Sequence, residues 1–198
     1  MATASLSASS LHAVLGDSLR LRDEALAVLL AQWTGPVKRA SEPDDLGRLV
    51  LDLSTASLFE EPALWVVRAG LPYLRKHRET LLGLAGQPVA AGAMVLVCPP
   101  PERNDALGPL LKALAKAGAV HDVEPPDARQ LVDWLAHRLL LPGAPAVERP
   151  RQLAESLVAG LGDDCDGLLG AIETLATYCG GSPITPEAVA ELCGGTAA

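Results

Sequence analysis

The chain has 198 residues, 49% of them hydrophobic and 20% charged, enough apolar side chain for a real core and too little charge for a disordered chain. A formal net charge of −8 and a pI near 4.9 exclude a free-standing nucleic-acid binder, which needs concentrated Lys and Arg to release counterions from phosphate; direct tight DNA binding is not expected. Aromatic residues make up only 3%, so packing is expected to be aliphatic.

The spacings of Cys98, Cys165, Cys179 and Cys193 match no zinc or redox motif. With no secretory signal pattern, they read as reduced thiols of a cytoplasmic protein. Pro, Gly or charge interrupts every apolar run before the ~20 residues a membrane helix needs, so no membrane partner is expected.

In chain order, residues 1–10 are small and polar and read as a frayed leader. Residues 11–15 form a short apolar run, Gly16-Asp17-Ser18 follows, and residues 19–33 carry Leu, Ala and Val at helical spacing: strand, tight turn, helix. A nucleotide-binding α/β protein would carry its phosphate loop there. The Walker pattern requires several glycines and a Lys-Ser/Thr pair, whereas this loop has one glycine and no such lysine, so no ATP binding and no cofactor are expected.

Gly35-Pro36 ends that helix, residues 41–45 offer N-caps, and residues 46–56 predict the next helix, with Leu46, Leu49, Val50 and Leu53 on one face. Thr55-Ala56-Ser57-Leu58-Phe59-Glu60-Glu61-Pro62 follows and holds the only phenylalanine of the chain. Leu58-Phe59 stands at the end of an element, just before two acids and a proline. It reads either as the plug of a local core or as an outward anchor for a partner.

Residues 63–67 suit a buried strand in which Trp65 packs. Residues 71–84 predict a helix carrying Arg75-Lys76-His77-Arg78, the densest basic cluster of the chain. That cluster is a solvated helix face or a secondary phosphate or partner contact through Arg75, Lys76 and Arg78. Residues 93–98 predict a buried strand, 104–117 a helix closed by Gly118, and 119–123 a short strand. Strands alternating with helices imply a parallel sheet with helical crossovers.

After Pro126 the pattern is helical throughout: residues 127–140 with Asp127 as cap, 151–161, 167–178 and 186–192. The expected organisation is an α/β domain over residues 1–126 and a small helical domain over 127–198.

This arrangement resembles the δ subunit of the bacterial DNA polymerase III clamp loader. The resemblance rests on Leu15-Gly16-Asp17 with its following helix, Ser57-Leu58-Phe59 before a strand, residues 110–120, Leu131-Val132-Asp133-Trp134, Gly162-Asp163-Asp164 leading into residues 171–178, and Pro183-Ile184-Thr185-Pro186-Glu187-Ala188-Val189. It implies an AAA+-like parallel sheet with flanking helices and a non-ATPase loop, followed by a small all-helical lid domain. It also implies that Leu58 and Phe59, with Ser57, act as a hydrophobic wedge on the sliding clamp and help to open the ring in DNA replication, ATP being handled by other subunits. Members of that family continue into a helical collar through which the loader assembles, and nothing comparable follows residue 198; a shortened relative or a fragment is expected, and membership of a loader with other subunits is placed in doubt.

Two other classes fit the residues. One is a two-domain paralogue serving as an adaptor for a different partner. The other is an α/β enzyme with its site at the strand C-termini near Gly16, Arg68, Pro99 and His121. His12 and His121 have no nucleophile motif beside them, and Asp163, Asp164 and Asp166 lie in a glycine-flanked turn of the kind that caps a helix; no catalytic or metal residues are expected.

Overall fold

Seven consecutive buried residues, Gly92–Cys98, form the middle strand of the protein, as a continuous apolar run without alternation requires when both faces of a sheet are covered. A computed structural model describes residues 6, 9–55, 61–85, 87 and 92–193. The chain divides into two compact units, Met1–Glu124 and Pro125–Ala198.

The first unit contains β1 (Leu11–Leu15), α1 (Leu19–Leu30), β2 (Val37–Ser41), α2 (Leu46–Ser54), β3 (Ala63–Arg68), α3 (Leu71–Lys76), α4 (Arg78–Leu84), β4 (Gly92–Cys98), α5 (Gly108–Lys116) and β5 (Val120–Asp122). The strands make one sheet of order β2-β3-β4-β1-β5, every pairing parallel. Successive side chains alternate between the faces. Ala13, Leu15, Val67, Met94, Leu96 and Cys98 pack with α2, α4 and α5 on one side, and Val14, Val66, Val95 and Val97 pack with α1 on the other.

The edge strand β2 corrects the sequence reading, which assigns residues 37–41 to no element. Its sequence is Val-Lys-Arg-Ala-Ser with Lys38 and Arg39 exposed, the charged composition by which a sheet edge avoids pairing with another chain. The Lys38 ammonium lies 5.5 Å from the Trp65 ring centre on the neighbouring strand, so its stem covers apolar surface while the charge stays wet. The single helix expected over residues 71–84 is two: His77 leaves helical geometry at φ −104°, ψ 14°, and its ring packs on Tyr73 with centroids 4.5 Å apart. The helix expected from residue 104 begins at Gly108, because Asp105 Oδ1 accepts from the Leu107 N–H and holds the preceding residues in a turn.

The loop between β1 and α1 is three residues long. Ser18 caps the helix by accepting from the Leu21 N–H at 3.1 Å, and a Cβ at Gly16 would stand 2.5 Å from the Val123 carbonyl oxygen. Backbone following β5 thus presses on the position where an eight-residue Walker loop would open around a phosphate.

The second unit holds α6 (Leu131–Arg138), α7 (Pro150–Leu161), α8 (Cys165–Tyr178) and α9 (Pro186–Cys193). Its core joins Leu131, Leu135, Leu153, Leu157, Leu168, Ile172 and Leu175. Its loops are tied by an isolated parallel bridge between Val147 and Ile184. Asp127 accepts from the Arg129 and Gln130 N–H groups, capping the turn before α6. No helix among the described residues is long and apolar enough to cross a membrane.

Candidate functional site

The stretch singled out by the sequence lies in the chain between α2 and β3. Asp45 caps α2 by accepting from the Arg48 N–H at 2.8 Å, and Leu46, Leu49 and Leu53 bury one face of the helix. The helix stops at Ser54, whose hydroxyl turns back to the Val50 carbonyl, and Thr55 is extended. On the other side β3 begins at Ala63, and its Leu64 N–H donates to the Pro36 carbonyl at 2.9 Å. Ser57, Leu58 and Phe59 themselves lie outside the described residues. Their two roots are fixed: Ala63 pairs with Gly92, and a Cβ on Gly92 would meet both the Ala63 carbonyl and, at 2.8 Å, the Leu53 side chain.

Because every strand is parallel, Ala63 and Gly92 mark the N-terminal edge of the sheet. Nucleotide pockets of open α/β sheets lie at the opposite, C-terminal edge, where the Gly16 loop is. The candidate segment is rooted at the end of the unit away from that loop.

The basic cluster divides. The Arg75 Nε and Nη2 both donate to Asp105 Oδ2, at 3.0 and 2.5 Å, and the Asp105 side chain is only 4% exposed. The Arg75 hydrogen bond, reinforced by the Leu107 N–H, holds the Asp105 carboxyl below the usual carboxylate range, and the same bond raises the Arg75 pKa. Arg75 therefore ties α3 to the cap of α5. Lys76 and Arg78 are exposed, Arg78 standing 3.4 Å from its neighbour Glu79, a pair of little energetic weight. Arg75→Ala, which leaves Asp105 without its cation, is expected to lower the thermal midpoint measured by circular dichroism, whereas Lys76→Ala and Arg78→Ala leave it unchanged.

Arg68 and Asp164 of the enzyme reading are engaged separately, and so is Cys98 beside Pro99. Arg68 pairs with Asp23 of α1 at 2.5 Å. Burial pushes the Cys98 thiol up to about 12, against a smaller opposing pull from Arg22, so it holds no thiolate at neutral pH. Asp164 caps α8 through the Asp166 and Gly167 N–H groups. No group of three or more His, Cys, Asp or Glu that could hold a metal occurs among the described residues.

One juxtaposition was hidden from the sequence. His12 on β1 is fully buried, and its Nδ1 stands 3.2 Å from His121 Nε2 on β5, the rings stacked at 5.4 Å. His12 Nε2 is 3.1 Å from the Ser9 carbonyl, which can only accept, so Nε2 carries the proton and Nδ1 accepts from His121. Burial lowers the His121 pKa below its ordinary value. Between that lowered value and the unfolded value near 6.5, the unfolded chain binds the extra proton. The stability this group supports is thus complete above about pH 7 and is lost as pH falls through the folded pKa. Thermal midpoints measured between about pH 7 and pH 5 are expected to drop for the wild type and to flatten for His121→Gln; equal slopes would remove His121 as the cause.

The sheet order with its flanking helices defines an AAA+-like α/β fold. Among solved structures the chain is similar to the DNA clamp loader delta protein YqeN of Bacillus subtilis, at 17% sequence identity and a TM-score of 0.52, over 93% of this chain. The chain spans 58% of that protein's length. No protein-family model and no curated protein matches it.

Proposed function

We propose that this chain is a clamp-loader δ-like protein that binds a ring-shaped sliding clamp through Leu58 and Phe59, with Ser57 beside them, and helps to open the ring. The observation that carries the reading is the shared fold with a clamp loader delta protein across 93% of the chain. The rooted α2–β3 connection, carrying the only phenylalanine of the chain, supports the choice of segment. The three-residue β1–α1 loop beneath Val123 agrees with a subunit that leaves ATP to others.

Opening a ring asks for no hydrolysis by this chain. A ligand shifts an equilibrium by its differential affinity for the two states, so a wedge whose clamp surface fits it better in the open ring favours opening. Other loader subunits are further partners under this reading, and Lys76 and Arg78 are the exposed members of the basic cluster for a secondary contact. The test is binding of the full chain to the sliding clamp of the same organism, wild type against Leu58→Ala/Phe59→Ala. A folded wild type that does not bind overturns the function, and equal binding by the double variant overturns the residue assignment.

A further inference from the structure

We infer that His12 and His121 form a proton-operated latch that holds β5 on the edge of the sheet, so that acid releases β5 while the rest of the first unit stays folded. The latch is independent of the clamp reading.

The geometry of the pair carries it. The β1–β5 register sets His121 beside Val14, and His12, two positions before Val14, shares that face. His12 Nε2 donates to the Ser9 carbonyl at 3.1 Å, and His12 Nδ1 accepts from His121 Nε2 at 3.2 Å. The two facing nitrogens hold one proton between them; a proton added to His12 Nδ1 would bring two N–H donors together. A proton added to His121 Nδ1 keeps the bond but creates an imidazolium at a half-buried position, and the packed elements set no carboxylate against it. β1 and β4 contain no acid. On β5, Asp122 pairs with Leu15 and so takes the opposite face, toward α5 with its Lys112 and Lys116, and Glu124 lies beyond the strand. The helix on the histidine face is α1, packed through Leu26 and Leu29. Its Arg20, Arg22, Asp23 and Glu24 all stand on the first two turns, Asp23 is paired with Arg68, and residues 25–33 carry no titratable side chain. Burial accordingly lowers the His121 pKa.

Release is local because β5 has three residues and pairs on one side only, which makes its opening cheaper than that of the sheet centre. Its flanks are tied by the Ala13 N–H donating to the Ala119 carbonyl at 2.9 Å and the Val123 N–H donating to the Leu15 carbonyl at 2.7 Å. Opening lifts the Val123 carbonyl from over Gly16 and loosens Val123 and Glu124, which lead to the second unit at Pro125.

The test is amide hydrogen exchange of the full chain, read by NMR as protection factors between about pH 7 and about pH 5. The Ala13 and Val123 amides are expected to lose protection by up to about tenfold per pH unit below about 6.5, the effect of one proton taken up on release. The Ala69 amide, bonded to the Val97 carbonyl, is expected to keep its protection. His121→Gln still offers an N–H to His12 but does not titrate, and is expected to hold Ala13 and Val123 constant. Constant protection in the wild type overturns the latch, and so does an equal fall at Ala69, which is global unfolding. A fall that survives in His121→Gln overturns the pair as its cause. Should that variant not fold, the ring-nitrogen shifts of the wild type decide: His121 must take up its proton over the range in which Ala13 and Val123 lose protection, and titration outside that range overturns the latch.

Discussion

Gly92→Val is expected to destabilise the first unit by about 2–6 kcal/mol. Two costs add. The residue sits at φ +155°, a conformation that side chains rarely adopt, and holding one there costs roughly 1–3 kcal/mol. The added Cβ meets the Ala63 carbonyl and lies 2.8 Å from the Leu53 side chain. Leu53 can turn aside, but the carbonyl belongs to the β3 backbone in register with β4, so overpacking contributes roughly another 1–3 kcal/mol. The check is urea unfolding followed by tryptophan fluorescence in a Trp134→Phe background, which leaves Trp33 and Trp65 as reporters of the first unit. A midpoint shift worth under about 1 kcal/mol at unchanged slope would mean that the strands part to admit the side chain.

That glycine shows how function and fold meet here. A side chain at position 92 would push apart the two roots of the candidate segment, the last buried leucine of α2 and the first residue of β3. Variants at position 92 that still fold are therefore expected to lose partner binding without touching any contact residue. The sequence carried a glycine at the start of an apolar run, but the close approach requires the β3–β4 register, which pairs residues about thirty positions apart.

The middle of the sheet was legible because burial on both faces leaves a continuous apolar run: residues 93–98 and 63–67 read as strands, each one residue short of the observed Gly92–Cys98 and Ala63–Arg68. β2 was not, because an edge strand answers to solvent and to the avoidance of aggregation, and Lys38 and Arg39 erase the apolar signal that a central strand would show. The His12–His121 pair was invisible for a different reason. The residues are separated by 109 positions and meet only because β4 is followed by a crossover to the far side of β1. Leu58 and Phe59 were legible as an anomaly of composition and position.

Leu58→Ala/Phe59→Ala is expected to weaken clamp binding by about 100-fold, with the unfolding midpoint unchanged. Burying each side chain contributes roughly 1.5–3 kcal/mol, or roughly 3–6 kcal/mol for the pair, and ordering the connection and its rotamers offsets part of that. A net loss near 2.7 kcal/mol corresponds to two decades of affinity. The stability control decides between the two readings of these residues. A local core plug cut to alanine costs roughly 2–5 kcal/mol per side chain and would pull the midpoint down with the affinity, whereas an outward wedge separates the two measurements. Loss of affinity at constant midpoint therefore identifies the wedge, and parallel loss of both identifies the plug. The single variants refine the outcome. If Leu58 and Phe59 fill one pocket on the partner, their effects are coupled, and the double variant loses less than the sum of the singles. If they enter separate sites, the losses add.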